Sequence, residues 1–298
     1  MLTTSFLAAQ GSSLCSQPTA TINSQADATQ YASCATIHGD LLVGPDASGI
    51  ISIDGPQQIT GNFICHDAGG LTSLGSSTLN SIGSAFDLFN LTLLSTFAFN
   101  ELQSVKNISW NSLPALSSLT LPAVISQATD VLITNTFLSS LDGINLESVS
   151  TLNINNNNRL KTFSTQVANI TSSVNIDSNG QLLQVAFPNL IWAANMTLRN
   201  VSSISIPSLA TVNGSLGFYE NYFTEIVAPN LTTVGNTGTL VGSLAFVANP
   251  SLANISMPLL QSTGGACQIA NNSALDGISF PDLSFVGGAI DFSGNFST

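Results

Sequence analysis

Apolar and polar positions repeat along this chain in one pattern, copied about ten times. A short alternating run, G-x-φ-x-φ-x-x-N with φ apolar, is followed by L-x-x-φ-x-φ-P-x-L-x-x-V, and one copy takes about 22 residues. The copies are Gly61–Ile82, Gly83–Val105, Lys106–Gln127, Ala128–Val149, Ser150–Ile170, Thr171–Ala193, Ala194–Val212, Asn213–Val234, Gly242–Thr263 and Gly264–Val286, with an eleventh begun before Thr298. Alternation with period two predicts strands that send every second side chain to one side. Repetition at a fixed period of this length predicts a solenoid, because one coil has no way to bury its apolar side except by stacking on the next. The fold class expected is all-β: a right-handed parallel β-helix, or leucine-rich-repeat-like solenoid, with a short N-terminal helical cap.

Each coil then holds two legible strands. Val174 and Ile176, or Leu216 and Phe218, are expected to face inward in the first strand; the second is the piece typified by Leu116-Ser-Ser-Leu-Thr-Leu. Asn closes the first strand at Asn111, Asn179, Asn221, Asn249 and Asn295, with a run at Asn155–Asn158. A corner Asn tolerates left-handed backbone and bonds its own turn, so stacked copies predict a hydrogen-bonded ladder. Pro ends the second strand at Pro114, Pro122, Pro188, Pro207, Pro229, Pro258 and Pro281, where pairing must stop. The residue two further on (Leu116, Val124, Leu190, Leu209, Leu231, Leu260, Leu283) is expected to turn back inside. Two irregularities interrupt the rhythm: Ala194–Val212 is about three residues short, and Gly235–Val241 is an insert, expected as a surface loop.

Ahead of the coils, Cys15 to about Ala35 reads as the cap, with a helix inside Thr21–Ser33 and Ser24 as its N-cap. Solenoid strands are expected from His38-Gly-Asp-Leu-Leu-Val onward, giving a cap over 15–37 and coils over 38–298. Residues 1–14 make an atypical signal region, without a basic start and with too short an apolar stretch. No apolar run is long enough to predict a membrane span.

Composition narrows the partners. Four residues are basic (Lys106, Arg159, Lys161, Arg199) against sixteen acidic ones, for a formal net charge of −12. Nucleic acid is excluded as a partner, because phosphate neutralisation needs Lys and Arg. Only 7% of residues are charged, so Ser, Thr and Asn must carry the surface, as suits an extracellular protein. N-x-[ST] sequons stand at Asn90, Asn107, Asn169, Asn195, Asn200, Asn213, Asn230, Asn254, Asn271 and Asn295, so N-glycosylation is expected if the chain is secreted. Of the four cysteines, Cys15–Cys34 is the favoured disulfide, pinning a cap that has little core of its own, with Cys34–Cys65 as its rival. Cys267 is read as a small inward core residue.

A search for catalytic chemistry finds little. The carboxylates are scattered, without the facing pair that glycoside hydrolysis needs. His38 and His66 have no zinc-like spacing, and no glycine-rich loop precedes a helix. No catalytic, metal or cofactor residue is therefore named, and no enzyme is expected. Asp177 and Arg199 are placed one coil apart as a surface ion pair. Trp110, Trp192, Tyr219, Tyr222 and Phe223 would stack on sugar rings if exposed; Tyr219, Tyr222 and Phe223 form the densest group and are the candidate binding patch.

The segments Ile22-Asn-Ser-Gln-Ala-Asp-Ala, Ser33-Cys, Gly39-Asp, Ile53-Asp-Gly, Ile59-Thr-Gly, Leu71-Thr-Ser-Leu and Leu113-Pro-Ala-Leu closely resemble fungal GPI-anchored cell-wall proteins of the extracellular-matrix and sporulation-specific type. Their repeats look like receptor L-domains. The resemblance, covering nearly all of 15–298, implies a secreted, glycosylated protein of the cell wall or outer plasma membrane that takes part in wall assembly. It implies wall polysaccharide or wall proteins as partners, and membrane contact only through a GPI anchor. Members of that family continue into further coils, cysteines, a Ser/Thr-rich stalk and a GPI tail, so the end at Thr298 reads as a truncation. A cysteine beyond it is then a further candidate partner for Cys65 or Cys267. A receptor-like module binding a specific glycan or protein, through one face or through the Gly235–Val241 insert, is the alternative function.

Overall fold

The computed structural model describes residues 14–294. The chain is a parallel β-solenoid of about 12 turns, with 48% of residues in strands and 4% in helix. It divides into two compact units, Met1–Asn145 and Leu146–Thr298.

In the first unit a main sheet is built from Thr19–Ile22, Asp40–Val43, Phe63–His66, Ser81–Phe89, Ser104–Leu113 and Asp130–Thr136, each strand parallel to the next. A second sheet pairs Ser48–Ser52, Gly70–Ser76 and Thr96–Phe99. Phe63, Phe86, Phe97, Phe99 and Trp110 fill the space between, with Phe63–Phe86 ring centroids 4.8 Å apart and Phe97–Trp110 5.1 Å apart. Trp110 is fully buried, so it is core and offers no surface to a ligand.

The first rung lies earlier than the pattern predicts. Thr19–Ile22 already pairs residue for residue with Asp40–Val43, inside the segment read as cap. Its buried residues, Ala20 and Ile22, are too few to register as a repeat. The helix α1 (Gln25–Gln30) follows, and Ser24 caps it. Ser24 Oγ accepts from Asp27 N at 3.2 Å, while Asp27 Oδ2 accepts from Asn23 N at 3.0 Å and from Ser24 Oγ at 2.9 Å. The serine hydroxyl, followed by the Asn23 amide, holds the Asp27 carboxyl below its ordinary value. Gln25 fastens α1 to the solenoid: its amide donates to Ser52 O at 3.0 Å and accepts from Ser52 N at 2.7 Å. That bond pair occupies backbone of the strand Ser48–Ser52 that would otherwise lie open as an edge.

Cys15 and Cys34 form a disulfide, which rules out the Cys34–Cys65 alternative. Cys65 and Cys267 are free, buried thiols. Cys65 stacks between Val43 and Leu88, and Cys267 between Leu244 and Ile290, in inward columns. Burial pushes the Cys65 thiol up to about 12 and that of Cys267 up to about 11.

In the second unit the main-sheet strands are the end of Ile144–Asn155, then Asn169–Asp177, Met196–Arg199, Leu216–Tyr219, Leu244–Val247, Cys267–Ala270 and Ile290–Ser293. Val174, Ile176, Leu216 and Phe218 face inward as expected. Two three-stranded sheets form a further side: Thr162–Ser164, Gln184–Ala186 and Ser203–Ser205, then Glu225–Val227, Asn254–Ser256 and Gly277–Ser279. The leucines after Pro return inside at Leu116, Leu190, Leu209, Leu231 and Leu260, while Leu283, in the last coil, is only half-buried. Val124 does not: it takes a left-handed turn (φ 63°), is half-buried, and leaves the inward place to Ile125.

Candidate functional site

The corner after each main strand governs which side chains reach the surface. From the coil of Phe63–His66 onward one residue is left-handed there: Asp67, Asn90, Ser112 and Asn135 in the first unit, and Asn156, Ser178, Asn200, Glu220, Ala248 and Asn271 in the second. The residue that follows points inward. In the second unit that inward column reads Asn157, Asn179, Val201, Asn221, Asn249, Asn272, and its five asparagines are buried. Asn249 Oδ1 accepts from Asn221 N and Asn221 Nδ2, both at 2.9 Å, while Asn249 Nδ2 donates to Phe218 O at 3.1 Å and to Asn272 Oδ1 at 3.0 Å. Asn179 does the same for Asn157 N and Nδ2, at 3.1 Å each, and donates to Ile154 O at 2.8 Å. The expected ladder exists, but the left-handed turn and the ladder bond fall on adjacent residues. Asn111 stands two places ahead of the inward position, which its coil fills with Leu113. Asn272 is a ladder member that the pattern did not single out, hidden beside the Asn271 sequon.

This corner divides the Tyr219, Tyr222 and Phe223 group. Tyr219 projects from the outer face of the main sheet, Glu220 turns the chain (φ 55°), Asn221 enters the ladder, Tyr222 emerges again, and Phe223 goes inside. Phe223 is 3% exposed and meets the Phe218 ring edge-on at 5.9 Å, so it belongs to the core and not to a patch. Tyr222 is 36% exposed. The Tyr219 ring occupies the space that a Cβ on Gly217 would need. The Arg199 guanidinium carbon lies 4.3 Å from the Tyr219 centroid, and its Nη1 lies 3.9 Å from Glu220 Oε1. Arg199 therefore turns towards Tyr219 and Glu220 on the following coil, away from the Asp177 pairing expected for it. Its cation–π contact at this half-exposed site contributes about 0.5–1 kcal/mol.

Sequon asparagines fall on every side of the coils. Asn169, Asn195, Asn213, Asn230, Asn254 and Asn271 are exposed; Asn90, Asn107 and Asn200 are half-buried; Asn295 lies outside the described residues, as does most of the 1–14 segment. Asn90 Nδ2 already donates to Asp67 Oδ1 at 2.7 Å. In the first unit, His66 Nε2 sits 2.9 Å from Asp87 Oδ2 across neighbouring strands, with the Phe89 ring edge-on at 5.7 Å. Among the described residues no cluster of three or more His, Cys, Asp or Glu side chains is placed to hold a metal ion.

The insert folds back on itself: Asn236 N donates to Val241 O at 2.8 Å, and Asn236 Oδ1 accepts from Gly238 N at 2.9 Å and Thr239 N at 3.1 Å. It lies over Gly264, where a Cβ would collide with the Asn236 and Val241 backbone. Leu240 and Val241 remain 54% and 55% exposed. A separate surface depression of about 490 Å³ opens beside Asn158, Arg159, Lys161, Gly180, Gln181 and Leu182.

No family model matches the chain, and no solved structure matches it. Among curated proteins, it is 43% identical over 279 residues to protein ecm33 of Aspergillus fumigatus, covering 93% of this chain and 68% of that protein. The chain belongs to the Ecm33 family of fungal cell-wall and cell-surface proteins. Within the family it is 41% identical over 254 residues to a cell surface GPI-anchored protein of Arthroderma benhamiae, covering 85% of this chain and 64% of that one. It is 34% identical over 220 residues to the cell wall mannoprotein PST1 of Saccharomyces cerevisiae, covering 74% of this chain and 49% of that one. The chain thus spans about half to two thirds of the length of these relatives.

Proposed function

We propose that this Ecm33-family chain is a non-enzymatic, N-glycosylated wall protein that helps organise the fungal cell wall, held at the surface by a GPI anchor like that in its relatives' names. The observation that supports this most is the surface. Six sequon asparagines are exposed on different sides of a stack whose outward positions are largely Ser, Thr, Asn and Gln. Such a surface presents hydroxyls, amides and glycans at the repeat spacing of about 4.8 Å between strands, with few charges, as suits lateral contact with hydrated polymer. Two measurements test it. Secreted protein treated with an N-glycosidase is expected to lose mass at several of the six exposed sites. Deleting the gene is expected to sensitise the fungus to wall-binding dyes, with rescue by the complete gene and poorer rescue when those asparagines are changed to Gln. An unshifted mass together with unchanged dye resistance overturns the proposal.

Tyr219 with Arg199, on the outer main sheet, favours a second reading as a receptor-like module for a neutral glycan. Specific retention on one wall polymer, lost in Tyr219→Ala, supports it; equal retention by the variant removes it.

A further inference from the structure

The short coil Ala194–Val212 loses its residues at one place. Between the inward corner residue and the next strand, the coil of Asn157 has the four residues Asn158–Lys161, and the coil of Asn179 has Gly180–Leu183. The coil of Val201 has Ser202 alone before Ser203–Ser205, while the coil of Asn221 again has a loop, Tyr222–Thr224. Ser202 N and Oγ both donate to Leu183 O, at 2.8 and 2.9 Å, and Tyr222 N donates to Val201 O at 2.9 Å, so the stack stays closed beneath the missing loop. A layer about 4.8 Å thick is absent above it. Leu182, in the loop of the preceding coil, is 71% exposed.

The depression of about 490 Å³ runs from Leu182 to Arg159 and Lys161. Two of the chain's four basic residues thus meet in one hollow of a protein with a net charge of −12. Among the described residues no carboxylate lies within 4.0 Å of Lys161. A guanidinium beside an ammonium suits a phosphate or carboxylate. The exposed amides of Asn158 and Gln181 suit hydroxyls, and Leu182 suits the C–H face of a ring. Two cations are too few for a nucleic-acid backbone.

We propose that this hollow binds an acidic sugar residue, one bearing a phosphate ester or a carboxylate, with Arg159 and Lys161 on the anion and Gln181 and Leu182 on the ring. Binding here and the wall role proposed above stand or fall separately. The test is calorimetric titration of the secreted chain with a hexose 6-phosphate, a hexuronic acid, the uncharged hexose and inorganic phosphate, at low and high salt. One or both acidic sugars are expected to bind at least about tenfold tighter than the neutral hexose and than inorganic phosphate, and more weakly at high salt. Which of the two binds names the anion. Arg159→Gln with Lys161→Gln is expected to cost about tenfold or more. If that pair lowers the β-sheet circular dichroism, Lys161→Gln alone must weaken binding in the same direction. The proposal is overturned by no binding, by equal binding of the neutral hexose or of inorganic phosphate, or by a folded variant that binds as the wild type does.

Discussion

Asn249→Ala tests the physical core of this fold, because it removes one rung of the ladder while leaving the sheet register alone. The substitution deletes four hydrogen bonds, to Asn221 N, Asn221 Nδ2, Phe218 O and Asn272 Oδ1. Asn221 Nδ2 keeps Leu198 O, and Asn272 Oδ1 keeps Asn249 N, so those two groups stay satisfied. The Asn221 backbone N–H is left buried without its acceptor, which costs about 1–3 kcal/mol. The other lost bonds and the small cavity add about 1–2 kcal/mol. The sum is about 2–5 kcal/mol, equivalent to a fall in melting temperature on the order of 10 °C for a chain of this size. Urea unfolding followed by circular dichroism should show a lower midpoint with an unchanged slope. Asn213→Ala, on an exposed turn, serves as the control, expected within about 0.5 kcal/mol of wild type. Asn249→Asp adds a sign. Its second oxygen would face Phe218 O and Asn272 Oδ1, so the buried carboxyl is held above its unfolded pKa. Its stability relative to wild type is therefore best at low pH and falls as pH rises through the folded-state pKa. A loss below about 1 kcal/mol for Asn249→Ala, or an Asn249→Asp deficit that does not grow with pH, would refute the ladder as a source of stability.

Three further outcomes are expected. Replacing Cys15 and Cys34 by Ser should cost roughly 3 kcal/mol through the freed loop and should expose the α1 segment to protease before the later coils. Cys65 and Cys267, raised to about 12 and about 11, should resist a thiol reagent at pH 8 in the folded protein and react together once it is unfolded in guanidinium. Phe223→Ala should lose about 3–5 kcal/mol in thermal unfolding while Tyr222→Ala stays within about 0.5 kcal/mol, the reverse of what a shared surface patch would give.

The coils, the inward strand positions, the Ser24 cap and the existence of an asparagine ladder were legible from spacing alone. Each is a local rule repeated many times, so one exception such as Val124 does not erase the pattern. The first rung at Thr19–Ile22 was not legible, because one copy lacking the L-x-x-φ and P-x-L marks looks like any loop. The candidate binding patch was misread for a related reason. Tyr219, Tyr222 and Phe223 are neighbours in the chain, but a left-handed turn at Glu220 sends them to three different places. The three missing residues in Ala194–Val212 could be counted in the sequence, yet not located.

The periodicity of the chain determined by itself that coils stack and which residues form the spine, because burial of apolar surface acts alike on every copy. Tertiary structure alone decided which surface residues meet. Contacts between coils join residues 19 to 31 positions apart, as between Thr165 and Leu146 or between Asn249 and Phe218, and a one-residue change at a corner redirects every side chain after it. That is why the hollow at Arg159, Lys161 and Leu182, built from the loops of two successive coils, emerges only in the folded chain.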